Sequence, residues 1–154
     1  MVWFHYLYFL SKIAEFTDTI VFVLRKKFNQ VSVFHVYHHL SIFLLMWYYF
    51  KVIPGSLAMP LATLNCIVHV FMYSYYLLSG LGPSVQKFLW WKRYITQMQL
   101  VQLALIVSEL SYMLISGTYF PKNMIIVLIC YILTLIGFFL HFYLNAYKSH
   151  SKTE

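Results

Sequence analysis

Five runs of apolar residues, each long enough to cross a bilayer, leave this chain few folds to choose from. They cover Val2–Leu24, Val33–Val52, Leu57–Ser79, Tyr94–Ser116 and Met124–Ala146. At ~1.5 Å per residue, about 20 helical residues cross a hydrocarbon core of ~30 Å. In lipid every backbone N–H and C=O must find a partner within the protein, so only helices and closed barrels cross. A barrel is disfavoured, because no run shows the ~10-residue alternation of barrel strands. Composition closes off the soluble alternative: 62% of the 154 residues are hydrophobic and only 10% are charged, against about 25% charged in a soluble domain. Such a chain cannot cover a globule with polar surface. The pattern predicts an all-α membrane protein, with five transmembrane helices forming one domain over residues 1–147 and a tail at 148–154.

The connections set the predicted topology. Arg25, Lys26 and Lys27 stand in the first, Lys51 in the second, Lys87, Lys92 and Arg93 in the third, and Lys122 in the fourth; Lys148 and Lys152 follow in the tail. By the positive-inside rule the first and third connections and the C-terminus face the cytosol. Met1 opens directly into an apolar run without a separate signal peptide. Five is an odd number of spans, and Val2–Leu24 carries Lys12, Glu15 and Asp18, which suits it poorly as a leading span. The expectation is a chain that lacks earlier helices. Cys66 and Cys130 lie inside apolar runs and suggest no disulfide framework.

Polar residues inside such runs are costly to bury and are functional candidates by default. His35, His38 and His39 lie at i, i+3 and i+4, so one helical face carries all three imidazoles. At ~1.5 Å per residue His38 is on the order of 10 Å below the cytosolic boundary. Imidazoles in this number suit either metal ligation or acid–base and nucleophilic catalysis. Lys12, Glu15, Asp18 and Thr19 share one broad face of the preceding run, where Lys12 can pair with Glu15 and Asp18 can reach a neighbour. The alternative for this group is an ion-pair network that fixes helix packing. Arg25, in Leu24-Arg25-Lys26-Lys27, either marks topology or meets phosphate on an anionic substrate.

In the third run Asn65, His69, Met72, Tyr73 and Tyr76 form one stripe, with Cys66 a turn before His69 and Tyr75 close by. Buried tyrosine hydroxyls need partners, so the stripe is either aromatic packing or the wall of a polar cavity. A Cys66–His69 nucleophile is a further alternative, although a free cysteine mostly behaves as a small hydrophobe. The fourth run begins with a ladder of Thr96, Gln99 and Gln102, with Gln97 on another face. Such a ladder also serves as interhelical glue. Glu109, His141 and Asn145 are assigned nothing beyond packing or cavity lining. Most of these polar groups fall in the cytosolic half of the bilayer. They predict one chamber with an apolar floor and a basic roof, suited to an amphiphile with an anionic head and a long apolar tail.

Five motifs in order make the sequence recognisable: Lys-x-x-Glu-x-x-Asp-Thr at 12–19, Leu-Arg-Lys-Lys at 24–27, His-x-x-His-His at 35–39, Asn-x-x-x-His-x-x-Met-Tyr-x-Tyr-Tyr at 65–76 and Thr-x-x-Gln-x-x-Gln at 96–102. Together they resemble the very-long-chain fatty acid elongase family, the membrane 3-ketoacyl-CoA synthases, over nearly the whole chain. The resemblance implies an endoplasmic reticulum enzyme, a very-long-chain 3-oxoacyl-CoA synthase. Such an enzyme joins a long-chain acyl-CoA to malonyl-CoA, and releases CO₂ and CoA. It implies seven helices, six around a substrate tunnel, of which these runs match the last five. It implies an acyl-imidazole on His38, with His69 assisting or accepting acyl in turn, and binding roles for Lys12, Arg25, Tyr75, Lys92 and Thr96. Asp18, Asn65, Tyr73 and Gln99 are expected beside them, and His35 and His39 are expected to orient the nucleophile or to hold the cavity's hydrogen bonds. No metal, no cofactor beyond the two CoA substrates and no nucleic acid is expected. Membrane lipid, a second copy of the chain and other elongation-cycle enzymes are the expected partners. The tail departs from the family in ending Lys152-Thr153-Glu154 without a dilysine signal. A metal-dependent lipid desaturase or hydroxylase is the alternative enzyme, since it also uses His-x-x-His-His, but it needs several such boxes. A lipid-binding protein without activity is the alternative outside enzymes.

Overall fold

The computed structural model describes residues 2–24, 26, 33–52, 59–118 and 120–147. Among the described residues six helices follow one another: α1 (Val2–Leu24), α2 (Val33–Val52), α3 (Met59–Gly80), α4 (Pro83–Gln86), α5 (Lys92–Ser116) and α6 (Lys122–Tyr147). No strand occurs among the described residues. The limits of α1 and α2 coincide with the apolar runs. By contrast, α5 and α6 each begin two residues earlier than their runs, at Lys92 and Lys122. Hydropathy cannot detect a helical turn made of cations and amides, although lysine and arginine are good helix formers.

Local chemistry sets the ends. Pro60 stands in the first turn of α3, where its missing N–H costs no helical bond. Gly82 has φ 112°, a conformation that a side chain resists, and its carbonyl accepts from Val85 N and Gln86 N at 3.2 Å. The Gln86 amide donates back to the Ser79 carbonyl at 3.0 Å, which satisfies one of the last acceptors of α3. The turn between the third and fifth helices therefore contains α4, an element too short to leave a periodic signal. Gly117, left-handed at φ 73° and ψ 56°, stops α5. The Pro121 carbonyl opens α6 by accepting from Met124 N and Ile125 N.

The chain divides into two compact units, Met1–Ala62 and Thr63–Glu154. In the first, α1 packs on α2. Phe9 stacks on Phe43 at 5.2 Å, Phe16 meets Phe43 edge-on at 5.6 Å, and Thr19 meets His35. Partners on α2 move backward as α1 advances, so the pair is an antiparallel hairpin. In the second unit α5 packs on α6. Leu103, Ile106, Leu110 and Met113 supply a stripe at helical spacing, and Ile125, Ile132 and Leu135 answer it from α6. Arg93 and Gln97 near the start of α5 reach Tyr143 near the end of α6, so this pair is antiparallel too.

Burial runs opposite to that of a soluble protein. Trp3, Leu24, Leu77, Trp90 and Ile115 are exposed, whereas Lys12, Glu15, His39, Thr96 and Gln102 are buried. Among the described residues, three helices are long and apolar enough to cross a membrane: Pro60–Gly80, Lys92–Ser116 and Lys122–Ala146. Both α1 and α2 have the length, but Lys12, Glu15 and Asp18 in α1 and three histidines in α2 dilute their apolar character.

Candidate functional site

The most polar interior belongs to the α1–α2 hairpin. Lys12 and Glu15 are one turn apart on α1, and their Nζ and Oε1 atoms approach to 2.6 Å, with both side chains buried. The Lys12 ammonium also lies 5.0 Å from the centre of the Tyr8 ring, which supplies a second favourable partner. The other carboxylate oxygen of Glu15, Oε2, faces His39 Nδ1 at 3.5 Å across the hairpin. His39 is buried, and its ring packs 4.4 Å from His35, 5.3 Å from His38 and 6.2 Å from Phe16. His35 Nε2 lies 2.9 Å from Thr19 Oγ1. A continuous polar path therefore runs Lys12–Glu15–His39–His35–Thr19, with two crossings between α1 and α2.

His38 stands at the edge of this path. Its ring is half-buried and stacks on Phe34 at 6.1 Å and 18°. The three imidazoles share a face, as their spacing predicts, but their surroundings differ. His39 meets a carboxylate, His35 a hydroxyl and His38 an aromatic ring. Among the described residues, no three of His, Cys, Asp and Glu are arranged to hold a metal ion. Arg25 and the Asp18 side chain lie outside the described residues.

The second unit carries the remaining candidates. On α3 the rings of His69 and Tyr73 are 5.8 Å apart, Tyr73 meets Tyr76 at 6.3 Å, and Tyr75 meets Trp91 edge-on at 5.5 Å. Asn65 and Cys66 are half-buried a turn before His69. The Gln99 amide on α5 reaches Met72 Sδ at 3.4 Å, a weak contact that ties α3 to α5. The buried Thr96 hydroxyl turns back to the Lys92 carbonyl at 3.5 Å on its own helix, while the Lys92 side chain is exposed.

Sequence reasoning missed two groupings. It left Glu15 out of the site, although the antiparallel register sets Glu15 against His39. It also assigned nothing to Arg93, Gln97 and Tyr143. The Tyr143 hydroxyl accepts from Arg93 Nε at 2.9 Å and from Gln97 Nε2 at 3.0 Å. An interval of about fifty residues separates these partners, and no local pattern reports it. His141 and Asn145, unassigned from the sequence, pair with each other at 3.1 Å one turn apart on α6.

Long helices that turn apolar side chains outward and hold charged and imidazole side chains inside define a multi-pass helical membrane protein. The model of the GNS1/SUR4 family, ELO, matches residues 1–154, and the chain belongs to that family. It is 47% identical over 147 residues to very long chain fatty acid elongase 4 of Homo sapiens, covering 96% of this chain and 47% of the relative. To elongase 2 of Mus musculus it is 45% identical over 141 residues, covering 92% and 48%. To elongase 5 of Xenopus tropicalis it is 40% identical over 147 residues, covering 96% and 50%. The chain spans about half the length of these curated relatives.

Proposed function

We propose that this chain carries the condensing chemistry of very-long-chain fatty acid elongation. A long-chain acyl-CoA is joined to malonyl-CoA to give a 3-ketoacyl-CoA, with release of CO₂ and CoA. His38 attacks the thioester carbonyl; a C–N bond forms, the C–S bond breaks, and CoA leaves. Malonyl-CoA then loses CO₂, and the carbanion so formed attacks the acyl-imidazole carbon and frees His38. His69 assists, or takes the acyl group in turn. No redox step occurs, so neither electron carrier nor metal is required. Lys12, Tyr75, Lys92 and Thr96 bind the substrates with Arg25, whose cation suits phosphate. Asp18, Asn65, Tyr73 and Gln99 complete the polar surface. The five long helices all cross the endoplasmic reticulum membrane with the C-terminus cytosolic. A second copy of the chain and other enzymes of the elongation cycle are its partners there.

The observation that carries this reading is the packed imidazole face of α2: the His38 and His39 rings lie 5.3 Å apart and the His35 and His39 rings 4.4 Å apart, beside the buried Lys12–Glu15 pair. Neighbouring groups that stay in place are what a nucleophilic imidazole needs. The relatives named as very long chain fatty acid elongases support a role in fatty acid elongation. The test is acyl loading followed by condensation. Incubated with acyl-CoA alone, the purified chain should gain the mass of one acyl group, which labelled malonyl-CoA then removes with release of labelled CO₂. His38→Ala should abolish both steps while the protein still inserts. Full product formation by His38→Ala would overturn the assignment, and no CO₂ release from the unaltered chain would overturn the enzymatic reading.

A further inference from the structure

Charge in the turn between α3 and α5 is all of one sign. Lys87, Lys92 and Arg93 are exposed there, and no acidic residue occurs between Asp18 and Glu109. Glu109 lies farther along α5 than Lys92 by ~25 Å at ~1.5 Å per residue. The same turn is apolar on its outside. Phe88 and Trp90 are 74% and 75% exposed, and Leu81 and Tyr94 are exposed beside them. Local contacts hold this arrangement. Phe88 N and Leu89 N donate to the Val85 and Gln86 carbonyls at 3.0 and 3.1 Å, and buried Leu89 pins the turn between its two exposed neighbours. Trp90 and Tyr94, one helical turn apart, meet edge-on at 5.7 Å.

Neither bulk phase suits such a surface. Water disfavours the exposed rings, and hydrocarbon excludes the cations. The headgroup layer accepts both, since indole and phenol rings settle at that level and lysine and arginine there meet lipid phosphate. We infer that this turn is a docking site for the headgroups of anionic phospholipids. Phe88 and Trp90 enter the lipid boundary, and the Lys87 ammonium takes the phosphate of a headgroup. A zwitterionic headgroup carries its own ammonium, which three clustered cations repel; a net negative headgroup is drawn to them. Lys92 keeps its proposed role towards substrate and adds to the field. Arg93, whose Nε donates to the Tyr143 hydroxyl at 2.9 Å, also adds to it. The far end of α2 is different. Lys51 is the only lysine or arginine between Lys27 and Lys87, and its ammonium lies 5.1 Å from the Trp47 ring. Docking at the α3–α5 turn requires only that the helices cross the membrane, and it stands whether or not His38 carries acyl.

The test places the full chain in nanodiscs of phosphatidylcholine. Phosphatidylserine or phosphatidylcholine brominated near the headgroup is titrated in, and quenching of tryptophan fluorescence is read. The Trp90 share is the difference between the unaltered chain and Trp90→Phe, and Trp47→Phe gives the Trp47 share in the same way. Half-maximal quenching of the Trp90 share should need about tenfold less of the serine lipid than of the choline lipid. The Trp47 share should show a smaller preference. Molar salt should remove most of the Trp90 preference, since it shortens the reach of exposed charges to about 3 Å. Lys87→Gln, a change at an exposed side chain, should raise the half-quenching fraction of the serine lipid about fivefold.

Equal fractions for the two lipids in the unaltered chain would reduce the turn to an aromatic belt and overturn the inference. An equal preference at Trp47 would do the same, because net charge alone would then draw the lipid. A preference that neither salt nor Lys87→Gln lowers is likewise incompatible with headgroup docking. Free CoA, added as a probe, separates the other source of phosphate. A preference that survives saturating CoA supports lipid docking apart from substrate, whereas its abolition assigns the cations to CoA and overturns it. Failure of the chain to load acyl would bear on the condensing chemistry and leave these readings unchanged.

Discussion

The two antiparallel hairpins of this protein are joined on different principles. Between α5 and α6 the buried side chains are mostly aliphatic: Leu103, Ile106, Leu110 and Met113 on α5, and Ile125, Ile132 and Leu135 on α6. Polar groups cross that seam at Tyr143, towards one end. Between α1 and α2 the interior holds Lys12, Glu15 and His39, bracketed by Phe9, Phe16 and Phe43. Lipid tails are as apolar as leucine, so an aliphatic seam gains only packing and tolerates sliding. A buried charge pair and an imidazole cannot slide without losing their partners, so they set register. The α1–α2 hairpin therefore exchanges the apolar character of a simple membrane span for a fixed arrangement of reactive groups. This explains why α5 and α6 are apolar enough to cross a membrane on composition while α1 and α2 fall short.

Breaking the α1–α2 ion pair from one side should have the largest effect on stability. Lys12→Met leaves the Glu15 carboxylate buried beside His39 without its closest cation. Removing one partner of a buried pair costs about 3–5 kcal/mol, whereas replacing both with apolar residues is often neutral. Lys12→Met should therefore unfold far more readily than the chain carrying both Lys12→Met and Glu15→Leu, as measured by thermal unfolding in detergent micelles. Equal stability of the two would show that the pair does not hold the hairpin. The double change should still abolish acyl loading, since Lys12 is a proposed binding residue.

A smaller loss is expected from the aliphatic seam. Leu135 is almost fully buried on α6, and Leu135→Ala opens a void there. Core truncations of this kind cost about 2–5 kcal/mol in water. Within lipid the transfer part is absent and the packing part remains, so roughly 1–3 kcal/mol is expected here. The same unfolding measurement sharpens the contrast. A loss as large as that of Lys12→Met would mean that packing, not charge, dominates both hairpins.

The helices were far more legible in the sequence than the contacts between them. Apolar length alone gives the described extents of α1 and α2. It places the starts of α5 and α6 two residues too late, because Lys92-Arg93 and Lys122-Asn123 are helical yet not apolar; the start expected for the third run, Leu57, lies outside the described residues. It does not reveal α4, where Gly82 and Pro83 dictate a single turn. In the site, the shared face of His35, His38 and His39 follows from helical spacing, as does the Lys12–Glu15 pair. The meeting of Glu15 with His39 and of Thr19 with His35 depends on cross-helix register, which the Phe9–Phe43 and Phe16–Phe43 contacts help to set and no spacing encodes. Thr96 shows the converse: its place in the polar ladder was clear, but its hydroxyl turns back onto the Lys92 carbonyl.

The smallest expected effect tests whether any polar register acts in the α5–α6 hairpin. Tyr143→Phe removes the oxygen that accepts from Arg93 and Gln97, yet leaves the ring 5.7 Å from the Arg93 guanidinium. The change therefore isolates the hydroxyl from the cation–π contact. Arg93 is exposed and can turn to water, whereas half-buried Gln97 has less access to a substitute. Polar contacts between membrane helices average about 0.6 kcal/mol, and a donor left half-buried adds to the loss, so about 1 kcal/mol is expected. Gln97→Leu in the same background should recover most of it by removing the stranded donor. A Tyr143→Phe loss approaching that of Lys12→Met would place a second register-setting polar lock at this end of α5 and α6. No loss would leave the aliphatic seam as the sole determinant of how these two helices align.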